Sequence, residues 1–81
     1  MVGGLPAEAP VTKRPYTENL HEGRYAAEVL VELIETEGGW SPYYSPDDVR
    51  KLERVRSALR RGDVAEAAKD ARVFELMPLA G

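Results

Sequence analysis

The sequence predicts an all-α fold, either a three-helix bundle or a helical hairpin plus one helix, with a flexible N-terminal arm. Three observations predict it. Apolar residues recur at spacings of three and four in three segments, helix start and stop signals flank those segments, and no segment alternates convincingly between apolar and polar residues. The chain has 81 residues, 43% hydrophobic and 31% charged, which is typical of one small globular domain. We therefore expect a disordered arm over residues 1–15 and a single helical domain over residues 16–81.

The arm is predicted from its composition. It has no apolar periodicity, and it contains the chain breakers Gly3, Gly4, Pro6, Pro10 and Pro15. A segment of this kind buries too little apolar surface to offset the entropy of ordering it.

The first predicted helix begins at Thr17 or Glu22 and continues to about Glu37. A glycine pair, Gly38 and Gly39, is expected to end it. The stripe that would face a core has the helical spacing i, i+3, i+4, i+7, i+8, and it consists of Ala26, Val29, Leu30, Leu33 and Ile34.

The second and third helices carry clear boundary signals. Ser45 is the expected N-cap of the second helix and Pro46 its first residue, and the helix continues to Arg61 before Gly62. Asp63 is the expected cap of the third helix, which Pro78 closes.

A local resemblance accompanies these two helices. The segment LERVRSALRRGDVAEAAKDARVFELMP, Leu52 to Pro78, resembles the helix-turn-helix unit of tetratricopeptide repeats. Gly62 and Asp63 stand at its turn, Ala67 at the small packing position, and Pro78 at its end. One unit is present, covering about a third of the chain, whereas repeat arrays need three or more. The resemblance implies a helical hairpin with a protein-binding role.

Catalysis and cofactor binding are not expected. The sequence has no cysteine and only one histidine, which excludes a thiolate zinc site, a cysteine nucleophile and a multi-histidine metal site. The row Glu28, Glu32 and Glu35 is more simply a solvated acidic face than a carboxylate metal site or a catalytic pair. We interpret His21 as structural or exposed.

The charges are segregated along the chain. Residues 18–37 carry a net charge of −5 and residues 46–61 a net charge of +3, so the two segments should pair. The second helix offers a basic face made of Arg50, Lys51, Arg54, Arg56, Arg60 and Arg61. Either these cations are solvated or paired within the chain, or they bind nucleic acid or an acidic partner. The sequence pI of about 5.1 favours the first interpretation.

An aromatic cluster, Trp40, Tyr43 and Tyr44, lies between the first two helices. It is either a plug over the end of the core or an interaction hot spot, since Trp and Tyr dominate binding energies at interfaces. The wide apolar face of the first helix suggests that exposed Val31 or Ile34 contacts a second copy in a homodimer.

These observations predict a non-enzymatic helical protein-interaction module, for example a small bacterial or phage regulator or inhibitor. Its expected partner-binding residues are Trp40, Tyr43, Tyr44, Val31 and Ile34. The alternative is a small nucleic-acid-binding regulator that uses the basic helix. We expect a cytoplasmic protein without a membrane partner, because the sequence shows neither a secretory signal nor an apolar run of about 20 residues.

Overall fold

The computed structural model describes residues 11–36 and 41–79, and its main element is an antiparallel sheet. The elements, in chain order, are β1 (Val11–Glu22), β2 (Tyr25–Thr36), β3 (Tyr43–Tyr44), α1 (Pro46–Arg60), α2 (Val64–Ala67) and β4 (Arg72–Glu75). The central strand is β2, which pairs with β1 along its whole length. On its other side, β2 pairs with β4 at one end and with β3 at the other.

The all-α prediction is therefore wrong, and the first predicted helix is a β-hairpin. Its two strands are joined at Gly23 and Arg24, and Gly23 has a φ of +60°, which suits a tight hairpin turn. Buried and more exposed positions alternate over residues 27–32 of β2, as expected for a strand, with Ala27, Val29 and Val31 buried. Residues 11–15, assigned above to the arm, lie in β1, and residues 1–10 lie outside the described part.

The second predicted helix is confirmed as α1. The Ser45 hydroxyl accepts a hydrogen bond from the Asp48 amide at 3.1 Å, and Pro46 occupies the first turn. Gly62, with a φ of +75°, ends the helix, and the next amide, of Asp63, donates to the Ala58 carbonyl at 2.8 Å.

The third predicted helix is wrong beyond its first turn. Asp63 caps α2 as expected, but α2 ends at Ala67, and β4 follows. The residues of β4 include Val73 and Phe74, which favour strands, and the edge of β2 supplies backbone partners for them. The segment that resembles a tetratricopeptide unit, Leu52 to Pro78, thus contains most of α1, all of α2, and β4.

The core lies on one face of the sheet, between β1, β2 and the helices. Its buried residues are Leu20, Ala27, Val29 and Val31 from the hairpin and Val55, Ala58, Leu59 and Ala67 from the helices. Neither α1 nor α2 packs on the opposite face of the sheet, because all of these helix residues join the single cluster on the first face. The two faces of β2 therefore have different neighbours, and the face away from the helices is the natural place to look for a partner.

Candidate protein-binding face

The sheet presents one face to the helices and another away from them, which we call the helix-free face. Strand alternation and the pairing register place alternate residues of β1 and β2 on it, together with side chains of β3 and β4. Its residues are Val11, Lys13, Pro15, Thr17, Asn19, His21, Ala26, Glu28, Leu30, Glu32, Ile34, Thr36, Tyr43, Arg72 and Phe74.

Large apolar side chains on this face are accessible. Leu30 is 61% exposed, Tyr43 51% and Phe74 38%. A leucine in the middle of a central strand is a position that folding normally buries, so its exposure is informative. The apolar surface is divided by Glu28, which lies 3.7 Å from Arg72, and by Glu32.

A groove runs along the border of the helix-free face, where β2 meets the start of α1. It has a volume of about 450 Å³, and its lining residues are Pro15, Leu30, Val31, Glu32, Ser45, Asp47, Asp48 and Lys51. Three of these side chains are apolar, and three carboxylates stand against a single lysine. The groove thus combines an apolar floor with an acidic rim.

Side chains of α1 close a gap in the sheet beside this groove. Residues 29–32 of β2 lie between the stretches that pair with β4 and β3. The Glu32 amide donates to Asp48 Oδ2 at 2.8 Å, and Lys51 Nζ donates to the Leu30 carbonyl at 2.7 Å. Asp48 and Lys51 are themselves 3.8 Å apart. The side chains of Asp48 and Lys51 therefore supply the backbone of β2 with hydrogen-bond partners that a neighbouring strand would otherwise supply.

The predicted aromatic cluster is divided by the fold. Trp40 lies outside the described residues, whereas Tyr43 and Tyr44 form β3 and point to opposite faces. Tyr44 is half-buried beside the core, where its hydroxyl donates to Glu18 and its ring centre lies 6.4 Å from that of Tyr16. The hydrogen bond to Glu18, with burial and the charge of Glu18, raises the pKa of Tyr44 to about 12. Tyr43 is available on the helix-free face.

The other two expected partner-binding residues are buried within the chain. Val31 is 3% exposed and belongs to the core, and Ile34 is 8% exposed. Ile34 pairs with Lys13 on one side and Tyr43 on the other. Neither residue offers an apolar surface to a partner in this structure.

All six residues of the predicted basic face have a carboxylate within 4 Å. Arg56 and Arg60 reach the same group, Glu22, at 3.0 and 3.3 Å. Although desolvation opposes it, hydrogen bonds from these two arginines hold the pKa of Glu22 below its ordinary value. The remaining pairs are Arg50 with Asp47, Lys51 with Asp48, Arg54 with Asp70 and Arg61 with Asp63.

The predicted acidic row does not share one face, because it lies on a strand. Glu28 and Glu32 are on the helix-free face, whereas Glu35 is on the other face, 3.2 Å from Arg14. Within residues 11–36 and 41–79, no three histidine or carboxylate side chains are close enough together to hold a metal ion. His21 is exposed, and its Nε2–H donates to the Gly23 carbonyl at 2.8 Å.

Comparison of the chain with protein-family models, with curated proteins and with solved structures finds no match. In the described part of the chain, no helix has the length and apolar character needed to cross a membrane.

Sequence reasoning identified Tyr43 but missed Leu30, Glu32 and Phe74. The signal that would have found Leu30 and Glu32 is the alternation in residues 27–32, Ala-Glu-Val-Leu-Val-Glu, interpreted with a period of two; Phe74 lies in β4, outside that segment. With that period, Leu30 falls on the same face as the two glutamates and stands out as an apolar residue among polar ones.

Proposed function

We propose that this protein is a non-enzymatic protein-interaction module whose helix-free face, with the adjoining groove, binds a partner protein. The observation that carries the proposal is Leu30, a 61% exposed leucine at the centre of the sheet, beside a groove of about 450 Å³. Leu30, Tyr43 and Phe74 expose apolar surface on the same face, and exposed apolar patches rimmed by polar residues mark protein-interaction sites.

The groove also suggests the chemistry of the partner. On its rim Asp47 is already paired with Arg50 and Asp48 with Lys51, whereas Glu32 has no ion-pair partner among the described residues, so Glu32 favours a cationic neighbour. A partner segment with an apolar side chain followed by a lysine or arginine fits both features, since the apolar group covers Leu30 and the cation approaches Glu32. Part of this attraction acts through solvent, and binding should weaken as salt concentration rises.

Binding of nucleic acid is the less favoured function. Each cation of the basic face already has a carboxylate partner, two of them sharing Glu22, and a phosphate would have to compete with these groups. We place the interaction in the cytoplasm, since the sequence has no cysteine from which an oxidising compartment could build disulfides.

The test is affinity purification from the native host with mass identification of the captured protein. Leu30→Asp and Glu32→Arg should each abolish capture of the partner that the wild-type chain retains. The matched controls are Val49→Asp and Glu53→Arg, which change an exposed apolar and an exposed acidic residue on α1. A partner that all four variants retain, or that the controls also lose, would contradict the proposed face.

A further inference from the structure

The outer edge of β1 is a second surface of the sheet that could bind a partner, through its backbone hydrogen-bonding groups. In the described chain β1 is the last strand on its side, since it pairs only with β2. An edge strand presents a row of backbone N–H and C=O groups that can pair with a further strand. Which residues supply those groups follows from hydrogen bonds on the other side of β2.

The Glu32 amide and the Leu30 carbonyl both bond to α1, away from β1. Backbone groups alternate in direction along a strand, so the even-numbered residues of β2 point away from β1 and the odd-numbered ones point towards it. Their β1 partners, such as Glu18 opposite Val29, are even-numbered. The odd-numbered residues of β1 therefore direct their backbone groups outwards.

Pro15 is one of these outward residues, and its position explains why a proline is accepted within a paired strand. Proline has no N–H, so it is tolerated where that group would point away from the sheet. The stretch that precedes Pro15 carries Lys13 and Arg14, which also discourage strand addition. Beyond Pro15 the outward residues are Thr17, Asn19 and His21, and each of them has both a donor and an acceptor.

We infer that Thr17, Asn19 and His21 pair antiparallel with the same three residues of a second copy of this chain. A two-fold axis at Asn19 places Asn19 opposite its counterpart and Thr17 opposite His21. All six residues then exchange backbone hydrogen bonds, and the two sheets become one continuous sheet. The pairing uses the outward backbone groups of these residues, whereas the proposed partner binding uses side chains of the helix-free face around Leu30 and Glu32, so neither interaction requires the other.

The side chains favour this register over its neighbours. Centring the axis on Thr17 sets Pro15 opposite Asn19 and leaves two carbonyls without donors. Centring it on Glu18 sets two copies of Glu18 directly opposite each other, and centring it on Leu20 sets Glu18 opposite Glu22; like charges in these positions destabilise a sheet. Centring it on Asn19 sets Glu18 opposite Leu20 and Tyr16 opposite Glu22, and the like-charged pair Arg14 and Arg24 falls outside the paired stretch, before Pro15 and in the hairpin turn. In this register residues 16–22 of one copy pair with residues 16–22 of the other without a like-charged pair, so the strand's own sequence is a suitable partner, and we commit to a second copy as the occupant.

The first experiment measures mass by light scattering from micromolar to millimolar protein. The wild-type chain should reach twice its 9.0 kDa mass, and Asn19→Pro should weaken dimerisation at least tenfold because it removes a central donor. The variant should remain folded, as the proline at position 15 shows that an outward position of β1 tolerates this residue. The control Asn19→Ala should dimerise like the wild type, and Pro15→Thr should dimerise at least as strongly, because threonine supplies the N–H that proline lacks. A mass of 9.0 kDa at every concentration, or a folded Asn19→Pro variant that dimerises normally, overturns the inference.

The second experiment tests the register by cross-linking, which the absence of cysteine makes clean. In a hydrogen-bonded antiparallel pair the Cα atoms are about 5.5 Å apart, within the range of a disulfide. Asn19→Cys should therefore give a disulfide-linked dimer on mild oxidation, whereas the Thr17→Cys positions would be about 14 Å apart and should not. Faster cross-linking of Thr17→Cys than of Asn19→Cys would overturn the register.

Discussion

The two edges of the hairpin sheet differ in how their backbone hydrogen-bonding groups are satisfied. On one side, β2 has a four-residue stretch without a strand partner, and Asp48 and Lys51 of α1 bond to its backbone. On the other side, β1 has outward backbone groups at Thr17, Asn19 and His21, and no described strand lies beyond them. An edge that the chain closes itself is part of the fold, whereas an edge left open is available for association. The two edges differ because side chains of α1 reach the backbone at the edge of β2.

Loosening α1 should produce the largest effect, because the closed edge depends on the position of that helix. Leu59 is 3% exposed in the core, and Leu59→Ala should lower the free energy of unfolding by about 2–5 kcal/mol. Urea denaturation followed by circular dichroism measures this loss. Val49 on the same helix is 46% exposed, and Val49→Ala should change stability by less than about 0.5 kcal/mol. Equal losses in the two variants would contradict the packing described here.

Removing one side chain that closes the edge should have a smaller effect. Asp48→Ala removes the acceptor of the Glu32 amide and, because water can replace it at this exposed site, should lower the free energy of unfolding by about 0.5–1.5 kcal/mol. Asp47→Ala is the matched control, because it removes a carboxylate from the same helical turn whose side chain is 89% exposed. Both carboxylates interact similarly with the helix dipole, and each also has one cationic partner, Arg50 for Asp47 and Lys51 for Asp48, so the difference between the variants reports mainly on the bond to Glu32.

Hydrogen exchange sharpens the comparison of the two edges. In the wild-type protein the Glu32 amide should exchange slowly, and in Asp48→Ala it should approach the rate of an unprotected amide. If the Glu32 amide exchanges at the same rate in both proteins, Asp48 does not close the edge.

The contrast between α1 and β2 shows what the sequence could and could not predict. The signals for α1 are local: Ser45, Pro46 and Gly62 act within a few residues of the helix ends, and α1 was predicted correctly. The hairpin depends on pairing between distant residues. Ala26, Leu30 and Ile34 are spaced four residues apart, which mimics the apolar face of a helix. The competing signal for a strand is the alternation that includes Val29 and Val31, and in the structure this signal is the correct one.

The candidate site could be predicted only in part, because the helix-free face is defined by strand pairing between distant residues. Tyr43 was named from its residue type, and it does lie on the helix-free face. The helical spacing predicts that Leu30 is buried, whereas in β2 its side chain is exposed. The charge segregation predicts attraction between the acidic and basic segments, and among the described residues the ion pairs that join them are those of Glu22 with Arg56 and Arg60.

A pH-dependent effect is expected where the hairpin turn meets α1. Hydrogen bonds from Arg56 and Arg60 lower the pKa of Glu22 although desolvation opposes them, so the ionised form is favoured in the folded state. The contribution of Glu22 to stability is therefore complete above its ordinary pKa and is lost as pH falls through the lowered value. Glu22→Gln should reduce the melting temperature at pH 7, and its difference from the wild type should disappear in acid. A difference that persists unchanged at the lowest pH would show that the charge of Glu22 is not its cause.

The smallest expected effect concerns Tyr44, whose hydrogen bond to Glu18 crosses β2 and so connects the two edges. This bond, with burial and the charge of Glu18, raises the pKa of Tyr44 to about 12. Since the neutral phenol is the form favoured by folding, its contribution is complete below the unfolded pKa of about 10 and is lost as pH rises through about 12. An alkaline titration of phenolate absorbance should show a late step that Tyr44→Phe removes and that Glu18→Gln moves to lower pH. If the late step is unchanged in Glu18→Gln, the raised pKa of Tyr44 does not depend on Glu18. The hydrogen bond between Tyr44 and Glu18 would then not connect β3 to β1.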